Sequence, residues 1–187
     1  MRNYIYVYMK EPEVTVLGPG KRYVLWVQGC HKNCEGCVAD NAKDMENGKQ
    51  ISIDALAYEI ILSKAEGITI SGGEPFLQAE ELAEMLSKIK KKRDIGVIIY
   101  SGYQYEELIK KPETQKLLAQ TDLLIDGPYV KELDDGKSLR GSSNQRTIYL
   151  TQRYKINASE YGVQGRKNEN FYHGIYVHKI GIPENKR

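Results

Sequence analysis

Four apolar runs, each ending in a polar loop that contains glycine, set the frame for this chain. They are YVLWV at 23–27, followed by QGCHKNCEGC; GITIS at 67–71, running into GGEPF; IGVIIY at 95–100, followed by SGY; and DLLID at 122–126, followed by GPY. Runs this continuous suit strands buried on both faces, which is the habit of parallel sheets. Helical segments separate them. Ser52 to about Ala65 reads as an apolar helix with Ser52 as its cap and Asp54 in its first turn. From about Gln78 to Lys92, Leu82, Met85, Leu86 and Ile89 recur at i, i+3, i+4 and i+7. Glu80, Glu81 and Glu84 open that helix and Lys90 to Arg93 close it, matching the helix dipole, so the basic run needs no partner. A further helical stretch starts near Tyr105, breaks at Pro112 and resumes to Gln120. Strands alternating with helices imply parallel strands joined by right-handed crossovers. In such folds the loops after the strands gather at one rim, and the chemistry is expected there.

The flanks are less regular. YIYVYM at 4–9 alternates and reads as an additional N-terminal strand, at an edge of the sheet. RTIYLT at 146–151 is a further strand, and GIYVHKI at 174–180 a late one in a polar, aromatic tail. The expected division is a core over residues 1–154 and a C-terminal extension over 155–187.

The chain has 187 residues, enough for one core without disulfide staples. Its 27 basic and 25 acidic residues leave a net charge of +2, which calls for neither nucleic acid nor a membrane surface. No apolar stretch approaches the roughly 20 residues that span a bilayer, and no secretory signal is recognisable. A cytoplasmic location is expected. All three cysteines, Cys30, Cys34 and Cys37, lie in the loop after the first run. An odd, clustered set makes a poor disulfide framework and a good metal site. Thiolates at C-x3-C-x2-C spacing suit an iron–sulfur cluster, zinc, or three structural cysteines. A structural zinc site asks for four protein ligands; His31 adjoins Cys30, and His173 and His178 are far along the chain. A four-iron cluster on three thiolates leaves one iron open to a small molecule.

C-x3-C-x2-C after one strand and GGEP after the next resemble the radical S-adenosylmethionine superfamily. More narrowly, GPGKRYVLWVQGC, SGGEPF, YSGYQYEEL, LLIDGPYV and LRGSSNQR look like the activases of anaerobic ribonucleotide reductase, in order from about residue 14 to 152. The resemblance implies an incomplete parallel (β/α)6-type barrel of the α/β class, with an extra N-terminal strand and a short C-terminal extension. It implies an enzyme that reductively cleaves S-adenosylmethionine at a [4Fe–4S] cluster held by Cys30, Cys34 and Cys37. The resulting 5′-deoxyadenosyl radical would abstract hydrogen from a glycyl-radical enzyme, with flavodoxin or ferredoxin as the electron donor. Carried over residue by residue, the cofactor contacts fall on Ser71, Gly72, Gly73 and Glu74, whose carboxylate suits an ammonium group. They fall also on Ser101 and Gly102, on Asp126, and on Asn144, Gln145 and Arg146. For several of these the residues alone allow a plainer reading: a strand-to-helix turn at 71–75, a glycine turn at 101–102, an Asx turn at Asp126, a solvated loop at 140–146. The pattern departs from the family at Gly36, where many superfamily members carry an aromatic residue, at Leu17, where activases commonly have Asp, and in the longer tail. A radical enzyme acting on a small molecule or peptide, and a non-catalytic cluster- or metal-binding module, are the competing readings.

Overall fold

The computed structural model describes residues 2–156 and 166–183. A seven-stranded sheet forms the centre, in the order β3-β1-β2-β4-β5-β6-β7. The strands are β1 (Tyr4–Val14), β2 (Arg22–Val27), β3 (Lys49–Ser52), β4 (Gly67–Gly72), β5 (Gly96–Ser101), β6 (Leu123–Asp126) and β7 (Arg146–Tyr149). β2, β4, β5 and β6 are parallel neighbours; β1, β3 and β7 pair antiparallel. A separate hairpin joins β8 (Asn168–His173) to β9 (Tyr176–Gly181).

The helices lie where the periodicity puts them. α1 (Ile53–Leu62) starts at Ser52, whose side chain accepts from the Ala55 N–H at 3.4 Å. α2 (Ala79–Lys90) follows a 3₁₀ turn at Pro75–Gln78, and α3 (Tyr105–Leu108) and α4 (Pro112–Leu118) flank the Pro112 break. The helices cover one face of the sheet. Tyr23, Leu25, Val27, Ile68, Ile70, Val97, Ile99 and Leu124 meet Leu56, Ile60, Leu82, Met85, Leu86, Ile89 and Leu117 in one buried cluster. Alternate strand residues point to the other face. There Val14, Leu17 and Val24 pack with Ile180, Phe171 and Ile182 of the hairpin region, while Ile98, Leu123 and Ile125 pack with Tyr154. Burial on both faces is what the continuous apolar runs require.

Two expectations need correction. Among the described residues the sheet is open and has four parallel strands rather than the six of a (β/α)6-type barrel. A parallel return requires a crossover, and the connection from β6 to β7 carries only a 3₁₀ turn at Lys131–Leu133, so β7 comes back antiparallel. The N-terminal strand is not at an edge, because the short β3 pairs outside it. The late strand also has a partner, β8, that its mixed composition concealed. No helix among the described residues is long and apolar enough to cross a membrane.

Candidate cofactor site

The C-terminal ends of the parallel strands align: Val27 registers with Gly72, and Ser101 with Asp126. The loops that leave them enclose one pocket. It is lined by Cys30, Cys34 and Cys37, by Ser71 to Glu74, by Ser101 and Gly102, and by Gln145. Those ten expected residues therefore come together. Asp126, Asn144 and Arg146 do not line it; they brace the loops beside it.

Backbone bonds seat the cysteine loop. The Gly29 and Cys30 N–H groups donate to the Ala42 and Lys43 carbonyls at 2.8 and 3.0 Å, and the Glu74 N–H donates to the Gly29 carbonyl at 2.8 Å. The approach to the second strand end is so close that a Cβ on Gly73 would lie 2.2 Å from the Gly29 oxygen. Only glycine fits there. Gly36 adopts φ +70°, in the left-handed region, beside Lys131 and Tyr129, which accounts for glycine where an aromatic residue is common. Lys131 also pairs with Glu35 of the cysteine loop at 2.9 Å.

The three thiols are free and half-buried. Burial raises the Cys30 and Cys37 thiols above their ordinary range, with the neighbouring cysteines adding to it. Lys43 opposes the rise at Cys37 and donates to the Cys34 carbonyl at 3.1 Å. Glu74 is buried. Its Oε1 accepts from the Ser101 hydroxyl at 2.9 Å and the Phe76 N–H at 3.1 Å, and its Oε2 from the Gly102 N–H at 2.8 Å. Burial pushes its carboxyl up to about 7 against those hydrogen bonds and the nearby Lys32.

The remaining expected residues support this rim. Asp126 is buried and accepts from the Tyr105 N–H at 2.7 Å and from Arg146 Nε at 3.0 Å. Arg146 also reaches Glu106 at 2.6 Å, which holds that carboxyl down at about 2. Asn144 donates to the Pro128 carbonyl at 2.8 Å. Gln145 accepts from the Gly141 N–H at 2.7 Å and donates to the Gly127 carbonyl at 2.8 Å. Several lining residues escaped the sequence reading: Leu17, Trp26, Lys32, Lys43, Tyr100, Tyr129, Gly181 and Ile182. Two had a signal, since Lys32 lies between the cysteines and Lys43 shortly after them; the others are brought in by the fold alone.

The donor set and the shape both suit a cluster with a bound cofactor. Three thiols face one cavity, and glycines keep its wall thin. The Tyr100 hydroxyl, on a residue that lines the same pocket, is buried with no hydrogen-bond partner among the described residues. An orphaned polar atom of this kind calls for a ligand.

Comparison with known proteins agrees. The family described as "4Fe-4S single cluster domain" matches residues 16–148. The anaerobic ribonucleoside-triphosphate reductase-activating protein of Enterobacteria phage T4 is 36% identical over 137 residues, 70% of this chain and 85% of its own. The chain belongs to the radical S-adenosylmethionine activases. It is an enzyme, and its cofactors are a [4Fe–4S] cluster and S-adenosylmethionine. The Vibrio cholerae activating protein of the same name is 31% identical over 144 residues, 72% of this activase and 91% of its own chain. The pyruvate formate-lyase 1-activating enzyme of Escherichia coli (strain K12) is 31% identical over 144 residues, 72% of this activase but 56% of its own chain.

Proposed function

We propose that this activase generates a glycyl radical on an anaerobic ribonucleotide reductase or a similar glycyl-radical enzyme, and receives its electron from a flavodoxin or ferredoxin. Cys30, Cys34 and Cys37 hold the cluster, and S-adenosylmethionine lies against Ser71–Glu74, Ser101, Gly102 and Gln145. The observation that carries the reading is the meeting, in one pocket, of a three-thiol loop and the glycine-walled end of β4. Bound and reduced, the cluster and S-adenosylmethionine supply hydrogen-atom abstraction.

The chain's own residues do the rest. The thiols must lose their protons to ligate, and because burial disfavours the thiolates, loading is coupled to proton release. Gly73 lets the backbone of two loops close on the ligand without a side chain between them. Glu74 locks the ends of β4 and β5 at a fixed spacing and presents a carboxylate whose charge Lys32 favours. Tyr100 lines the pocket, and its hydroxyl, unpartnered among the described residues, is a donor still available there. Asp126, Asn144 and Arg146 act through the loops they brace. The sheet ends in two unclosed edge strands, β3 and β7, which agrees with access for a polypeptide segment rather than only a small molecule.

The test is anaerobic reconstitution with iron and sulfide, then reduction with S-adenosylmethionine and an anaerobic ribonucleotide reductase. A glycyl-radical doublet in the EPR spectrum of the reductase is expected. Deuterium should pass from its labelled glycine into 5′-deoxyadenosine. Cofactor cleavage with no radical on any glycyl-radical enzyme would overturn the proposed partner class. Retention of the cluster after Cys30→Ala, Cys34→Ala or Cys37→Ala would overturn the ligand assignment.

A further inference from the structure

The C-terminal hairpin carries two histidines to a buried glutamate of the core sheet. Glu11 registers with Val24 across β1 and β2, so it shares the sheet face that the hairpin covers. Its side chain is 5% exposed. On the hairpin, Glu169 registers with Ile180, Phe171 with His178 and His173 with Tyr176. The period of two therefore puts His173 and His178 on one face with Phe171 and Ile180, which pack into the apolar cluster over β1 and β2. His173 Nε2 lies 2.7 Å from Glu11 Oε2, and the two imidazole rings stand 5.2 Å apart. One ligand atom from each of Glu11, His173 and His178 lies within 4.8 Å of the other two. The His178 ring makes no hydrogen bond among the described residues.

We propose that Glu11, His173 and His178 form a second metal site, separate from the cysteine loop, that takes one divalent first-row cation of the zinc type. Two imidazoles and a carboxylate are borderline ligands of the kind zinc prefers, and three protein ligands leave a position for water. Zinc–ligand bonds of about 2.0–2.1 Å place tetrahedral ligand atoms about 3.3 Å apart. A small opening of the His173–Glu11 contact and a closing of His178 meet that spacing. The ion also places a permanent positive charge beside the buried Glu11 carboxylate.

The site joins distant parts of the chain. β1 opens the sheet, whereas the hairpin follows all seven of its strands. Gly181 and Ile182, at the end of β9 and just past it, line the cysteine pocket. A cation here fastens one wall of that pocket to the sheet, and no residue of the cysteine loop takes part.

Two forms of the full chain separate this site from the thiols: the cluster-loaded protein, and a variant with Cys30, Cys34 and Cys37 all replaced by Ala. Each is equilibrated with zinc, freed of excess, and assayed for metal. One zinc per chain is expected in both. Cobalt in the Cys-free variant should show ligand-field bands without thiolate charge transfer. His173→Ala and His178→Ala, at exposed and half-buried positions where folding is tolerant, should each weaken binding by about tenfold or more. Saturating zinc should raise the melting temperature of the Cys-free variant but not of its His178→Ala derivative. Failure of the cluster-loaded protein to retain zinc overturns the site, leaving an ordinary His–Glu hydrogen bond. So does zinc binding that both histidine substitutions leave unchanged.

Discussion

The Glu74 carboxylate accepts a hydrogen bond from the Ser101 hydroxyl at 2.9 Å, and this contact ties the end of β4 to the end of β5. Burial lifts Glu74 from 4.5 to about 7. A carboxyl whose folded value exceeds its unfolded value favours the folded state fully below about 4.5, and that contribution is lost as pH rises through about 7. The difference is worth about 3 kcal/mol. Urea unfolding of the cluster-free protein should therefore show stability declining across this window. Glu74→Gln should flatten the decline; superimposable pH profiles would remove Glu74 as its source.

Gly73 is the tightest approach between the cysteine loop and the core. A Cβ there would meet the Gly29 oxygen at 2.2 Å and the Ala42 oxygen at 2.8 Å, both backbone atoms that cannot turn aside. Gly73→Ala should displace the cysteine loop and cut the iron retained after reconstitution severalfold, with the far-UV circular dichroism little changed. Gly174→Ala, at a left-handed turn with nothing within 4 Å, is the control and should retain its iron. Equal iron in both variants would show that this close approach does not position the thiols.

The parallel strands and the cysteine trio were legible because their signals are local. Runs such as YVLWV and IGVIIY are apolar on both faces, and C-x3-C-x2-C needs no tertiary knowledge to suggest a cluster. The flanks were harder to read. β3 is four mostly exposed residues, KQIS, whose only strand signal is the partner it finds in β1. β8 reads NENFYH, polar enough to pass for loop until β9 lies beside it. At the site, Ser71–Glu74 could be placed because glycines and a carboxylate follow a strand. Asp126 ends a strand in the same way and Arg146 begins the next one, yet their side chains meet each other instead of the pocket. Spacing along the chain does not distinguish a pocket-lining residue from a brace; that depends on which direction a loop turns.

Arg22 is one such brace that composition hides. It is fully buried at the start of β2, and among the described residues no carboxylate hydrogen-bonds to it. Its Nε donates to Thr69 Oγ1 at 2.5 Å. Its two terminal nitrogens donate to the Pro19, Ile68 and Gly96 carbonyls and to the Tyr154 hydroxyl. One planar group thus satisfies acceptors from β4, β5 and two loops, while burial lowers its pKa from the ordinary arginine value. Arg22→Ala orphans those acceptors and should cost about 3 kcal/mol or more in urea unfolding. Arg22→Lys, with a single ammonium in place of the fork, should recover less than half of the loss. Full recovery by lysine would mean that charge rather than fork geometry is what the site requires.

Arg166 plays the matching part for the hairpin. Its side chain is 1% exposed, pairs with Asp134 at 2.7 Å, and donates to the Arg140, Gly141 and Pro183 carbonyls at 3.0, 2.7 and 2.7 Å. The two ends of the hairpin region are thereby held to the loop between β6 and β7. Removing Arg166 breaks this buried ion pair and takes the donor from three carbonyls, at a cost of about 3 kcal/mol or more. Part of that cost should be local, because the hairpin forms a separate two-stranded sheet. Arg166→Ala is therefore expected to speed amide hydrogen exchange by tenfold or more at residues 134–142 and 168–181, while β4, β5 and α2 keep wild-type protection. Acceleration spread evenly over the whole sheet would instead make Arg166 part of the global fold.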